Sequence, residues 1–271
     1  MRMNHKEAIA AAKKALGNAE ALLITAGAGI GVDSGLPDFR GNEGFWRAYP
    51  PMKKIGASFT DMANPGWFET KPELAWGFYG HRLNLYRRTE PHEGFQILLQ
   101  TGYEKPGGAF VFTSNVDGQF QKAGFESGQV EEAHGSIHHF QCIYPCRREI
   151  WDASGEVVEV DESTFRAAEP LPKCPYCGAV ARPNILMFGD MAWLPGRSDK
   201  QGVQRQHWMQ HIAIVEIGAG KAVPTVRMFS QRVARQYDAT LIRINPRDSD
   251  VPKGHIGIAT GALEGIRAIA G

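Results

Sequence analysis

The chain has 271 residues, its 30 Lys and Arg are balanced by 29 Asp and Glu for a formal charge of +1, and 43% of it is hydrophobic. That length can bury a sizeable core as one large domain or a domain with an insertion, and the composition excludes a disordered or collagen-like chain. The near-zero charge lacks the basic excess of a general nucleic-acid binder, and the longest apolar stretch, residues 21–32, is too short and too glycine-rich to span a membrane.

Residues 1–7 contain no apolar leader, so the expectation is a cytoplasmic protein. Asn4 and Glu7 have the spacing of a helix N-terminal capping pair, and the Ala/Lys-rich residues after them predict a helix up to Gly17. The apolar run 21–25 then breaks into Gly27, Ala28, Gly29, Ile30 and Gly31, which reads as a buried strand entering a glycine loop. Further strands are expected at 109–112, 184–187, 212–217 and 240–244, with helices at 224–237 and 261–270. Strands alternating with helices predict an α/β fold whose mostly parallel sheet is covered by helices on both faces. Two segments break the rhythm. Residues 41–92 are rich in aromatic residues, Pro and Arg, and read as a helical, irregular insertion; residues 138–180 hold all four cysteines around a hairpin-like centre at 150–160.

A strand followed by Gly27-x-Gly29 lets backbone N–H groups approach a pyrophosphate, although the same pattern also makes a plain tight turn, and the full Gly-x-Gly-x-x-Gly pattern is not met. Beyond it, Asp38, Phe39 and Arg40 offer a carboxylate, an aromatic face and a guanidinium. Ser114, Asn115 and Asp117 follow the strand at 109–112, where open α/β sheets bind ligands; the alternative is a turn whose Asn and Asp satisfy local backbone groups. His134, before Gly135, is either a structural histidine or a cleft residue whose near-neutral pKa suits proton transfer. Cys142 and Cys146 are separated by three residues, Cys174 and Cys177 by two. Two such knuckles read as a closed tetrahedral thiolate site for a structural Zn²⁺, with oxidised pairing as the alternative.

Taken in order, these motifs resemble the sirtuins, NAD-dependent protein-lysine deacylases. The segment 27–40 resembles their cofactor loop, 113–117 their Thr-Gln-Asn-Ile-Asp motif, His134-Gly-Ser136 their catalytic His-Gly, the cysteine pairs their zinc module, and 182–189 their substrate-bordering strand. The resemblance implies a Rossmann-like NAD-binding domain from 1–40, 93–137 and 181–271, and a smaller zinc-containing domain from 41–92 and 138–180. It implies that NAD lies against Gly27, Ala28, Gly29, Ile30, Asp38, Phe39, Arg40, Ser114, Asn115, Asp117, Gly218, Gly220 and Asn245, with Asn115 and His134 in catalytic roles and His134 as general base on a ribose hydroxyl. An acyl-lysine protein or peptide would dock as an added strand against Met187, Phe188 and Gly189. The products would be nicotinamide, O-acyl-ADP-ribose and free lysine.

Tyr79 and Arg82 stand at i, i+3. Sirtuins that favour succinyl- and malonyl-lysine carry a Tyr-x-x-Arg pair that reads the acyl carboxylate, and Asp33 falls where they often have an acidic residue; the alternative is two ordinary residues of an exposed helix. The chain departs from the family at Ser114 (usually Gln), at Gly218-Ala-Gly220 (usually Gly-Thr-Ser, here followed by Lys221) and at Asp190 (usually Glu). These departures leave two other readings beside the deacylase: an ADP-ribosyltransferase or NAD glycohydrolase, and a non-catalytic NAD sensor.

Overall fold

The computed structural model describes residues 3–38, 41–54, 56–208 and 211–271. The chain begins with α1 (His5–Asn18), where Asn4 Oδ1 accepts the Glu7 N–H at 3.0 Å and Glu7 Oε2 accepts the Asn4 N–H at 2.9 Å, the reciprocal cap expected from their spacing. Next comes β1 (Ala21–Ala26), buried at every position, and a 3₁₀ turn over Ala28–Ser34. The aromatic-rich segment forms α2 (Gly41–Ala48), α3 (Pro50–Lys54), α4 (Phe59–Met62), α5 (Gly66–Thr70) and the long α6 (Pro72–Arg88). After α7 (Glu93–Tyr103), the chain enters β2 (Ala109–Thr113), α8 (Gln119–Lys122) and β3 (Val130–Glu132). A run of strands follows: β4 (Gly135–Cys142), β5 (Ile150–Asp152), β6 (Val160–Asp161), β7 (Arg166–Ala167) and β8 (Ala181–Ile185). The last third comprises α9 (Gly196–Trp208), β9 (Ile212–Ile217), α10 (Thr225–Gln236), β10 (Leu241–Ile244), β11 (Ile256–Ile258) and α11 (Ala262–Ala270).

Six strands form one parallel sheet in the order β11-β10-β9-β1-β2-β3. Because strand side chains alternate between faces, Leu22 and Ile24 of β1 join a core under α1, α7 and α11, while Ala21 and Leu23 join a second core under α10. The connections run outward from β1 in one direction through β2 and β3, then restart at β9 in the other. Such a reversal leaves a crevice outside the carboxyl ends of the two central strands, here β1 and β9.

Beside this sheet, β5-β4-β8 make an antiparallel sheet covered by α6, with Trp76, Phe78, Phe140 and Phe165 in a third core. Trp76 Nε1 donates to the Ala181 carbonyl at 2.9 Å, fastening the helical insertion to the strands. Two expectations change here. The strand expected at 184–187 is β8, which pairs antiparallel with β4 rather than entering the parallel sheet; it carries Pro183 and is an edge strand, where a missing N–H is tolerated. The hairpin expected at 150–160 is displaced: β5 pairs with β4, and the hairpin is β6–β7, closed by Asp161 Oδ1 accepting the Ser163 N–H at 2.8 Å.

Candidate active site

The crevice is a cleft of about 860 Å³. Gly27, Ala28 and Gly29 line it from the end of β1, Ser114, Asn115 and Asp117 from the end of β2, and Gly218, Gly220 and Lys221 from the end of β9. The β1 and β9 loops touch backbone to backbone: Gly29 N donates to Gly218 O at 3.1 Å. Gly218 has φ of +63°, and a Cβ on it would lie 2.4 Å from the Gly29 carbonyl carbon. Gly218→Ala is therefore expected to separate the loops, destabilise the fold by about 2 kcal/mol or more and weaken NAD binding, as measured by thermal unfolding and calorimetric titration. A side-chain-free cradle at the carboxyl edge of a parallel sheet is what a dinucleotide pyrophosphate requires, so these residues fit NAD.

Polar residues fix the cradle. Thr113 Oγ1 donates to Ala26 O at 3.0 Å and accepts from Asn115 N at 3.0 Å, and Asn115 Nδ2 donates to Gly27 O at 3.2 Å. Asp117 Oδ1 accepts the Gln119 N–H at 3.0 Å; burial raises the Asp117 pKa to about 6 despite that bond. Asp38 lines the cleft and pairs with Arg247 at 3.0 Å. Asn245 does not line it. The Asn245 side chain is wholly buried behind the β9 loop, donating to Ala219 O at 2.9 Å and accepting from Arg247 N and Asp248 N, so the structure puts it behind the cofactor loop rather than at the cleft surface. Ile30 is likewise a core residue, whose carbonyl meets His92 Nε2 at 2.9 Å. Phe39 and Arg40 lie outside the described residues.

His134 lies between β3 and β4 and lines the cleft. Its carbonyl accepts the Leu186 N–H at 2.9 Å, its ring Nε2 is 3.2 Å from Thr225 Oγ1, and burial lowers its pKa. Met187, Phe188 and Gly189 continue from β8 along the cleft, and Phe188 N donates to Ala63 O at 2.9 Å. The end of this segment is pinned by the buried Arg182–Asp190 pair, with contacts of 2.7 and 2.9 Å.

Tyr79 and Arg82 are not exposed helix residues: both are buried on α6 and line the cleft. The guanidinium of Arg82 lies 5.3–5.8 Å from the ring centres of Phe59, Phe78, Tyr79 and Tyr86, and its Nε and Nη2 donate to Tyr86 Oη at 3.2 and 3.0 Å. The Tyr79 hydroxyl is buried with no hydrogen-bond partner among the described residues, and burial pushes its pKa up to about 12. Asp33 is outside the cleft, its Oδ2 accepting the Leu263 N–H at the start of α11. Tyr86 and Phe59 line the cleft and Thr225 touches His134, none of them singled out in the sequence; the i+4 spacing of Tyr86 from Arg82 is a signal that could have found the first of them.

The four cysteines converge at the far end of β4. Their sulfurs lie within 4.8 Å of one another, and the Cys142–Cys177 and Cys146–Cys174 pairs are each 3.6 Å apart. That is far beyond a disulfide bond and close to the sulfur–sulfur edge of a tetrahedron with zinc–sulfur bonds of about 2.3 Å. Tyr144 N also donates to Cys142 Sγ at 3.4 Å, as suits a thiolate ligand. The residues fit a closed structural Zn²⁺ site.

A glycine-lined cleft at the switch point of a parallel sheet, a histidine at its wall and a four-cysteine module beside it define an α/β protein whose residues fit a dinucleotide and a structural zinc ion. Comparison with known proteins makes the class specific. The Sir2 family model matches residues 27–223. The NAD-dependent protein deacylase of Aquifex aeolicus is 30% identical over 232 residues, covering 86% of each chain, and one from Thermus thermophilus is 30% identical over 268 residues, covering 96% of this chain and 93% of the relative. A solved Sir2 homolog–NAD complex shares the fold, with a TM-score of 0.74 at 24% identity over 100% of this chain and 94% of the other. The chain belongs to the Sir2 family.

Proposed function

We propose that the protein is an NAD-dependent protein-lysine deacylase that takes an acylated-lysine protein or peptide as substrate. The observation that carries this reading is the meeting of His134 and Asn115 in one cleft with the Gly27–Gly29 and Gly218 cradle. Its relatives in Aquifex and Thermus bear the same activity in their names. Bound NAD supplies the ribose electrophile that releases nicotinamide and the ADP-ribose that accepts the acyl group. With NAD bound, Asn115, fastened to Gly27, would orient the ribose end, and the buried Asp117 would stand beside the nicotinamide pocket. His134, kept neutral by burial, takes the proton of a ribose hydroxyl at an imidazole nitrogen. The peptide backbone would pair with the Met187–Gly189 segment, which Phe188 N and the Arg182–Asp190 pair hold in place.

For the acyl group, we favour acidic chains. Arg82 lies at the cleft within an aromatic surround, and the Tyr79 hydroxyl beside it, without a partner among the described residues, is a donor for a carboxylate. Arg82→Met is expected to cut succinyl-lysine turnover by about ten- to a hundredfold relative to acetyl-lysine, the range for a charge-assisted hydrogen bond. Matched acetyl-, succinyl- and longer acyl-lysine peptides, with free lysine and nicotinamide followed together, test both points. Equal release supports the deacylase, nicotinamide alone would mean NAD hydrolysis or ADP-ribosyl transfer, and release of neither would leave an NAD sensor. Among the described residues no helix is long and apolar enough to cross a membrane. Four free, clustered cysteines suit a reducing compartment, and on that ground we propose a cytoplasmic location.

A further inference from the structure

His134 is held from more than one side. The backbone on either side of it is fixed, Ala133 N donating to Thr113 O at 2.8 Å and Leu186 N to His134 O at 2.9 Å. The ring is fixed by a single contact: among the described residues, Thr225 Oγ1, at 3.2 Å from Nε2, is the only hydrogen-bond partner of the imidazole. Thr225 opens α10, whose first turn is set by Met228 N donating to Pro224 O at 2.9 Å. Val223 and Val226 line the cleft, whereas Thr225 does not. The hydroxyl is thus anchored on a rigid element and reaches the histidine without forming part of the cleft surface.

A neutral imidazole has one donor and one acceptor nitrogen, and the partner of one nitrogen sets the role of the other. We infer that Thr225 is a positioning residue for His134, its Oγ1 accepting the Nε2–H so that Nδ1 keeps the lone pair that receives the ribose proton. This inference rests on the deacylase reading. An oxygen that accepts Nε2–H in the neutral ring still accepts it in the imidazolium, so the contact favours the charged form that proton uptake creates. Burial opposes that form. Charged groups stand on each neighbouring element, Glu132 on β3, Asp190 after β8, Lys221 after β9 and Arg227 on α10, yet burial alone accounts for the direction in which the His134 pKa moves.

The test is Thr225→Val, which keeps the shape and removes the acceptor, beside Thr225→Ser, which keeps the hydroxyl. The His134 ring is titrated by NMR, assigned by the signal missing in His134→Asn, and the pH profile of kcat/KM is recorded in parallel. Thr225→Val is expected to lower the His134 titration midpoint, to move the acidic limb of the profile to lower pH, and to reduce kcat at neutral pH about three- to tenfold with the KM for NAD within about twofold. Thr225→Ser is expected to restore all three. A midpoint that rises means that the hydroxyl donates to Nε2, and one that does not move means that the contact is idle; either overturns the inference. The NMR midpoint decides this even if no acyl peptide is turned over, an outcome that would count against the deacylase reading instead.

Discussion

His134→Ala is expected to lower deacylation by about 10²- to 10⁴-fold while NAD affinity and thermal stability stay close to those of the wild type. The asymmetry follows from where the residue stands. Glycine backbone and Asn115 supply the cradle at the ends of β1, β2 and β9, and His134 reaches the cleft from the connection between β3 and β4. The contacts that fix this connection are made by backbone atoms, Ala133 N to Thr113 O and Leu186 N to His134 O, and alanine retains them. The ring is partly buried and carries one hydrogen bond among the described residues, so truncation removes little stabilising contact. Nicotinamide release and acyl transfer, assayed separately, locate the block: a general base for the ribose hydroxyl is needed for transfer. Undiminished turnover would remove His134 from the reaction.

Stripping zinc, by chelation or by Cys174→Ser, is expected to give the largest loss of stability. A closed thiolate site contributes folding free energy directly, on the order of 10 kcal/mol in small zinc modules. Here the sheet that it closes is small: β4 pairs with two short strands, and β6–β7 is a two-residue pair. Cys142 is the last residue of β4 and His134 directly precedes the first, so loosening the metal end of the strand frees the wall of the cleft at the other end. One zinc per chain by atomic absorption, with a large fall in Tm on its removal, is the expected result. A metal-free wild-type protein of unchanged Tm would refute it.

The parts of the fold legible in the sequence are those that short-range chemistry sets. An apolar run that breaks at glycine marks β1 and its loop, Asn4 and Glu7 mark the start of α1, and the spacing of the four cysteines brings their sulfurs together. Residues decided by distant partners were not legible. The 212–217 run reads as apolar, yet Glu216 within it is wholly buried because the register of β9 with β10 sets Arg243 opposite it as a fully buried partner. Gln141 and Asn184 fasten β8 to the antiparallel sheet through a buried network, Asn184 Nδ2 donating to Gln141 Oε1 at 2.8 Å and to Leu194 O at 2.9 Å. Asn245 has the residue type of a ribose ligand, but the turn at 247–248 and the Ala219 carbonyl take up its amide. Thr225 is ninety-one positions from His134, and only the packing of α10 brings the two together.

The sheet order bears on how the molecule is made. β1 emerges from the ribosome before the other strands of its sheet, and β2 can cover one of its edges once the helical insertion between them has been made. Its other edge waits for β9, which pairs residue 21 with residue 212. Until β9 has been made, the central strand of the nascent sheet therefore has an open hydrogen-bonding edge, the kind of surface that invites wrong partners. The contact of Gly29 with Gly218 spans nearly the same stretch of chain, so loop-closure entropy opposes it until late. The cofactor cradle can therefore close only after β9 has been made.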